Sequence, residues 1–286
     1  MEYVTLNNGI QIPKLGFGVF QISKEDCERC VLDAIEIGYR HIDTAQSYFN
    51  EEEVGNAITK CGVSRKELFI TTKVWIDNYG YKKAKQSVLN SMDRLKTDYL
   101  DLVLLHQPFS DYYGAYKALQ ELYKSGKIRA IGVSNFYPDR LADMVAFNEI
   151  PPQVNQVEVN PFHQQTAAQK NMITRNVQME AWAPFGEGKN NMFTNPVLKE
   201  ISETYQKSVA QIILRWLMQR DIVTLAKSTH INRMKENFEI FDFKLSETDM
   251  KKITKLDTNT SLFFNHQTPE AVDMFVNMIQ DRKGKL

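Results

Sequence analysis

Leu102-Val103-Leu104-Leu105 is a run of four apolar residues with no polar alternation. A strand with one wet face would alternate, so a run like this belongs to a parallel sheet covered by helices on both sides. Working outward from it, further short apolar runs bounded by Gly, Asn or Asp are Leu15-Gly18, His41-Thr44, Phe69-Lys73, Leu102-His106, Ala130-Val133, Val154-Val159, Met179-Ala183 and Val223-Ala226. Between them lie stretches of helical periodicity near 25–37, 51–60, 82–95, 113–124, 138–147, 165–175 and 208–219, with another at 232–240. About eight strands, nearly every one followed by a helix, is the count of a closed (β/α)8 TIM barrel. The rival is an open doubly wound sheet, which would carry G-x-G-x-x-G at its first turn. Gly16-Phe17-Gly18 is followed by no third glycine in register.

Ahead of the barrel, residues 4–12 read as an N-terminal hairpin, with Asn8-Gly9 suited to a type I′ turn between Val4-Leu6 and Ile10-Ile12. The tail after Thr258 is expected near the mouth. The chain has 286 residues, and a barrel of this type runs to roughly 250. No Pro-, Gly- or Ser-rich linker divides it, and Gly186-Glu187-Gly188-Lys189-Asn190-Asn191 reads as an excursion on the rim. One domain over 1–286 is expected.

Composition narrows the function classes. Lys plus Arg equals Asp plus Glu at 35 each, so no net field draws the protein to nucleic acid or an anionic membrane. Met1-Glu2-Tyr3-Val4-Thr5 has no signal-peptide character, and no apolar run approaches the roughly 20 residues that span a bilayer. The cytoplasm is the expected location. The final Gly284-Lys285-Leu286 lacks the Ser of a peroxisomal address. Three cysteines suit a reducing compartment. Cys27 and Cys30 have C-x-x-C spacing but share a helical face with Val31, Ala34 and Ile35, which reads as buried thiols. His41, His163, His230 and His266 have no ligand spacing between them, and no metal is expected.

In a parallel barrel, reactive groups collect where the strands' carboxyl ends open onto one mouth. Four polar residues stand there: Asp43, Tyr48, Lys73 and His106. Singly, Asp43 could cap a helix, Tyr48 could be a rim aromatic, Lys73 could reach solvent and His106 could be a satisfied core histidine. Together they suggest acid catalysis. A phenol titrates near pH 10 and needs help to give up its proton, which an adjacent ammonium supplies; Asp43 would hold that ammonium, and His106 would orient a substrate oxygen.

The chain resembles the aldo-keto reductase family, particularly its bacterial-type, diketogluconate reductase and prostaglandin F synthase-like members. The resemblance is carried by Gly38-Tyr39-Arg40-His41-Ile42-Asp43-Thr44-Ala45, Tyr48-Phe49-Asn50-Glu51, Thr72-Lys73-Val74-Trp75, Leu104-Leu105-His106, Gly132-Val133-Ser134-Asn135-Phe136, Asn155-Gln156-Val157-Glu158, Asn160-Pro161-Phe162 and Lys227-Ser228. It implies a barrel that binds NADPH across its mouth and reduces small aldehydes or ketones, with Asp43, Tyr48, Lys73 and His106 as the tetrad and Tyr48 as general acid. Ser134, Asn135 and Gln156 would hold the nicotinamide carboxamide, and Trp182 would stack on the ring where Tyr is usual. Ala183, Pro184 and Phe185 follow as cofactor contacts. Lys227, Ser228, Thr229 and Arg233 would surround the adenosine 2′-phosphate, with Glu236 and Asn237 at the adenine. Two cations there would favour NADPH over NADH.

Phe20, Trp75, His106 and Gln107 are the expected substrate contacts. Gln107 and Phe20 stand where the family often has Trp, which implies a wider or more polar pocket. Leu225-Ala226-Lys227 replaces a frequent Ile-Pro-Lys. A monomer or weak oligomer is expected. Two other functions fit the same barrel: a Schiff-base lyase using Lys73 or Lys227, testable by borohydride trapping, and an NADPH-binding regulatory subunit without turnover.

Overall fold

The computed structural model describes residues 1–283, so the terminal Gly284-Lys285-Leu286 motif and the end of the 1–286 span lie outside the described residues. A two-stranded hairpin, β1 (Tyr3–Thr5) and β2 (Gln11–Pro13), precedes eight parallel strands: β3 (Leu15–Gly18), β4 (His41–Asp43), β5 (Phe69–Val74), β6 (Leu100–Leu105), β7 (Ile128–Ser134), β8 (Val154–Glu158), β9 (Gln178–Trp182) and β10 (Val223–Ala226). They close in the order β10-β3-β4-β5-β6-β7-β8-β9. The helices are α1 (Lys24–Ile37), α2 (Glu51–Lys60), α3 (Tyr81–Arg94), α4 (Tyr112–Lys124), α5 (Pro138–Phe147), α6 (Thr166–Thr174), α7 (Pro196–Tyr205), α8 (Val209–Gln219), α9 (Ile231–Phe238), α10 (Glu247–Thr254) and α11 (Pro269–Lys283).

The uniform apolarity of Leu102–Leu105 has a direct cause. Val103 and Leu105 belong to the core between sheet and helices. Leu102 and Leu104 point into the barrel and join Phe69, Ala130, Val154 and Val223 in a separate inner cluster. Both faces are dry, so both alternations are apolar. The hairpin closes the bottom of this inner cluster, because Leu6 and Ile12 pack into it.

The turn of that hairpin differs from the type I′ expectation. Its loop has three residues, Asn7-Asn8-Gly9, bounded by Leu6 N–H donating to the Ile10 carbonyl at 2.8 Å and Gly9 N–H to the Leu6 carbonyl at 2.9 Å. Only Gly9 has positive φ, at +84°, where a two-residue type I′ turn needs it at both central positions. The arrangement is a type I turn closed by a left-handed glycine. Asn8 donates its side-chain amide to the Arg129 carbonyl (3.0 Å), which ties the tip to the barrel floor.

Eight helices lie within a few residues of the expected spans, and α2 and α5 have the expected bounds. Cys27, Cys30, Val31, Ala34 and Ile35 are all buried along α1, and burial pushes the Cys27 thiol up to about 12. These thiols are packing groups. Helices α7, α10 and α11 were not expected from the sequence pattern. Asn195 caps α7 ahead of Pro196 at its first turn, and Ser246 caps α10; both are ordinary helix starts. No helix among the described residues is long and apolar enough to cross a membrane.

Candidate active site

Asp43 ends β4, and Lys73 lies near the end of β5, two inward positions above Phe69. Tyr48 closes a 3-10 turn, Gln46–Tyr48, directly after β4. That turn is held at both ends. Thr44 donates its hydroxyl to Asn50 Oδ1 (2.9 Å), and Asn50 Nδ2 donates to the carbonyl of Val19 (3.0 Å), just after the neighbouring strand β3. The next residue, Glu51, is buried, accepts from the Thr72 hydroxyl (2.6 Å) and pairs with Arg94 (2.7 Å). Asn50 and Glu51 were visible in the sequence as part of a motif, and the structure supplies their use: they anchor the loop that carries Tyr48.

Lys73 is fully buried. Its ammonium has three hydrogens to place and meets three acceptors: Asp43 Oδ1 at 2.6 Å, the Thr44 carbonyl at 3.0 Å and the Tyr48 hydroxyl at 3.3 Å. Gln156 Nε2 donates to the other Asp43 oxygen at 3.0 Å. Burial opposes the Lys73 charge, but Asp43 and Tyr48 outweigh it and leave the ammonium above its ordinary value. A neutral amine, as a Schiff-base lysine needs, is therefore disfavoured.

The phenol behaves otherwise than the sequence argument supposed. Burial raises Tyr48, and Lys73 offsets that only in part, so the net direction is upward. Its hydroxyl is loaded at neutral pH. Because it accepts from Lys73, its own hydrogen is directed elsewhere.

His106 is buried beneath the mouth, with its Nδ1 at 3.3 Å from the Ser47 hydroxyl. Its ring meets Tyr48 edge-on at 5.7 Å and Trp75 at 5.1 Å. Phe20 is half-exposed and lies 4.9 Å from the Tyr48 ring. Thus the four tetrad residues, Phe20 and Trp75 form one cluster.

Gln107 lies in a second cluster beside it. Its Oε1 accepts from Asn135 Nδ2 (3.3 Å) and from the His266 ring (2.9 Å). His266 and the nearby Phe109, Phe264 and Phe275 pack ring against ring, and Phe275 reaches Trp75 at 5.9 Å. Aromatic surface missing at position 107 is thus resupplied by the C-terminal tail. The tail is tied down by Glu158, which accepts from Ser261 Oγ (2.5 Å) and Leu262 N–H (2.9 Å).

The cofactor candidates fall in two groups. Ser134 and Asn135 are buried at the end of β7 and Gln156 in the middle of β8, and Trp182 ends β9, donating its indole N–H to Asn135 Oδ1 (2.8 Å). Ala183 follows with φ +48°, then Pro184. Phe185, Lys227, Ser228, Thr229, Arg233, Glu236 and Asn237 line a cavity of about 660 Å³ together with Phe193 and Ser208. Lys227 and Arg233 are exposed and enter no ion pair among the described residues. A cavity of this size, with two uncommitted cations and the start of α9 on its wall, fits an adenosine phosphate. The amide and hydroxyl cluster fits a carboxamide. Among the described residues no group of three or more His, Cys, Asp or Glu is arranged to hold a metal.

A closed parallel barrel with an ionisable cluster at its mouth and a lined cavity on its rim is an enzyme architecture. The aldo/keto reductase family model matches residues 14–258. Glyoxal reductase of Bacillus subtilis is 46% identical over 258 residues, covering 90% of this chain and 93% of that protein. The crystal structure of MGS-M4, an aldo-keto reductase from a Medee basin deep-sea metagenome library, has a TM-score of 0.91 at 38% identity, covering 93% and 99% of the two chains. The Bombyx mori aldo-keto reductase solved in complex with NADP has a TM-score of 0.87 at 32% identity, covering 92% and 95%. The chain belongs to the aldo/keto reductase family. It is a carbonyl-reducing oxidoreductase that works with a nicotinamide cofactor.

Proposed function

We propose that this protein reduces small aldehydes or ketones with NADPH, Tyr48 giving the proton. The observation that carries the reading is the Lys73 ammonium lying 3.3 Å from the Tyr48 hydroxyl and 2.6 Å from Asp43. Lys73 uses one lone pair of the phenol oxygen, so the phenol hydrogen is free to face a carbonyl at the mouth. When bound, the reduced nicotinamide supplies a hydride to the carbonyl carbon.

Although burial raises Tyr48, an aliphatic alcohol is intrinsically a weaker acid than a phenol, and the Lys73 ammonium stabilises the phenolate left behind. Proton transfer to the developing oxyanion is therefore downhill. The phenolate that results is met at once by the ammonium, with Asp43 keeping Lys73 charged and aimed. His106 orients the carbonyl oxygen, in the tautomer whose Nδ1 accepts from Ser47 and whose Nε2 carries the hydrogen. Ser134, Asn135 and Gln156 hold the carboxamide, Trp182 backs the ring, and Lys227, Ser228 and Arg233 take the 2′-phosphate. The name of the Bacillus subtilis relative, glyoxal reductase, makes small oxo-aldehydes the first compounds to assay.

The test is Tyr48→Phe, followed by NADPH oxidation and by calorimetric NADPH binding. Turnover is expected to fall at least about a hundredfold, the scale for removing a general acid, with NADPH affinity nearly intact. Retained turnover excludes Tyr48 as donor. Wild-type protein that binds NADPH yet oxidises none of it across a broad carbonyl panel favours the regulatory reading instead.

A further inference from the structure

Below the tetrad, the barrel holds another ionisable side chain. Glu180, in the middle of β9, is fully buried. It is paired in register with Gln156 of β8 and Val223 of β10, on the face that turns inward. Neither carboxyl oxygen has a hydrogen-bond partner among the described residues. Gln156 directs its amide to Asp43 instead. His41 Nε2 stands 3.7 Å away but lies closer, at 3.0 Å, to the Thr71 hydroxyl. A bare carboxylate in this position would be unsolvated and would face the charge of Asp43, which is the costliest state for a buried acid. The protonated form escapes both penalties.

We propose that Glu180 is held as a neutral carboxylic acid and acts as a positioning residue for the tetrad, its neutrality leaving Asp43 and Lys73 as a balanced pair beneath Tyr48. The proposal rests on the reading of Tyr48 as proton donor. When Glu180 ionises and its proton leaves for solvent, a second negative charge appears under the site. It strengthens the hold of Tyr48 on its proton, since Glu180 is among the groups that raise both Tyr48 and Lys73. Reduction then slows.

The surroundings agree. Burial, then Asp43, raises Glu180 to about 8, against the opposing pull of Lys73 and the nearby Gln156 amide. The titratable groups facing it are His41 and Asp43 from β4, Lys73 from β5 and Tyr48 above. His41 is neutral, pushed down to about 3 by burial. The residues of β3 and β10 are Leu15-Gly16-Phe17-Gly18 and Val223-Thr224-Leu225-Ala226, with no ionisable side chain. Glu158 on β8 is committed to Asn160, Ser261 and Leu262.

Glu180→Gln keeps the shape and fixes the neutral state. The ratio of variant to wild-type turnover is expected to rise roughly tenfold between pH 6.5 and 9, as the native carboxyl loses its proton near pH 8. A flat ratio overturns the proposal. A second readout is independent of turnover. A carboxyl raised in the fold stays protonated while its unfolded counterpart, with a pKa of about 4.3, is ionised. Its contribution to stability is whole below that value, is lost as pH rises toward about 8, and is level beyond. The melting temperature of Glu180→Gln relative to wild type should climb across that window and then hold; parallel curves overturn the proposal. If Glu180→Gln does not fold, infrared pH titration of the native protein decides, by a protonated carboxyl band that vanishes near pH 8 or is already absent at pH 6. Failure of the Tyr48 reading is distinguishable, because it appears as turnover retained in Tyr48→Phe whatever Glu180 does.

Discussion

The indole of Trp182 donates its N–H to the side-chain oxygen of Asn135 at 2.8 Å, so the residue expected to back the nicotinamide ring also sets the orientation of the residue expected to hold its carboxamide. With Oδ1 turned to the indole, Asn135 Nδ2 is directed at the His106 carbonyl (3.2 Å) and Gln107 Oε1 (3.3 Å). A Tyr at position 182 would stack equally well but would not fix the amide through an indole N–H.

Trp182→Phe keeps a stacking face and removes that hydrogen bond. A net hydrogen-bond contribution of about 1 kcal/mol corresponds to about fivefold weaker NADPH binding. Calorimetry on the two proteins measures it, and unchanged affinity would mean that the bonds from Asn135 Nδ2 to His106, Gln107 and Ser134 align it without the indole.

The phosphate assignment is tested by cofactor choice. Lys227 and Arg233 line the cavity and enter no ion pair among the described residues, so removing them breaks little of the fold. Lys227→Ala with Arg233→Ala should weaken NADPH by at least about a hundredfold, at roughly 1.5–3 kcal/mol for each charge-assisted bond, and leave NADH almost untouched. Equal losses for the two cofactors would place the 2′-phosphate elsewhere.

Much of this was legible in the sequence because its causes are local. Leu102–Leu105 reports burial on both faces wherever the strand lies, and Asp43, Lys73 and His106 stand at strand ends that a parallel barrel must gather. What escaped depends on distant partners. Glu180 is one acid in an otherwise ordinary strand, and its meaning comes from Asp43, Lys73 and the direction in which Gln156 turns its amide. His266 reads as a loop histidine until the tail folds it onto Gln107. The upward direction of Tyr48 was missed for a related reason, since a neighbouring ammonium can be guessed from spacing while the depth of burial that outweighs it cannot. At the hairpin, Asn8-Gly9 suits a tight turn, but strand register set the loop at three residues.

The link between Gln107 and His266 makes a stability prediction. Gln107→Leu leaves the His266 ring N–H buried without this acceptor, while the Asn135 amide keeps His106 and Ser134, at a cost of about 1–3 kcal/mol. For a protein of this size each kcal/mol lowers the melting temperature by roughly 2–4 °C. Thermal denaturation of the variant should show a drop on that scale, and an unchanged midpoint would mean the tail is held by Glu158 and the aromatic cluster without this bond.

His266 also predicts how acid acts on the fold. Burial, with a smaller contribution from the charge of Arg140, pushes its pKa down to about 4 from the ordinary 6.5. Since the unfolded chain takes up the proton first, stability is whole above about pH 6.5 and is lost as pH falls toward 4, by up to about 3 kcal/mol at 1.36 kcal/mol per unit. Glu180, raised in the fold, has the opposite slope over part of this range, so wild type alone cannot isolate the effect. His266→Gln removes the titrating ring. Its loss of contact with Phe264 and Phe109 lowers stability at every pH, whereas only titration changes the slope. The gap in denaturation midpoint between wild type and His266→Gln should therefore narrow from pH 7 to pH 4.5, and a constant gap would mean that the His266 ring takes up its proton at the same pH in the native state as in the unfolded chain.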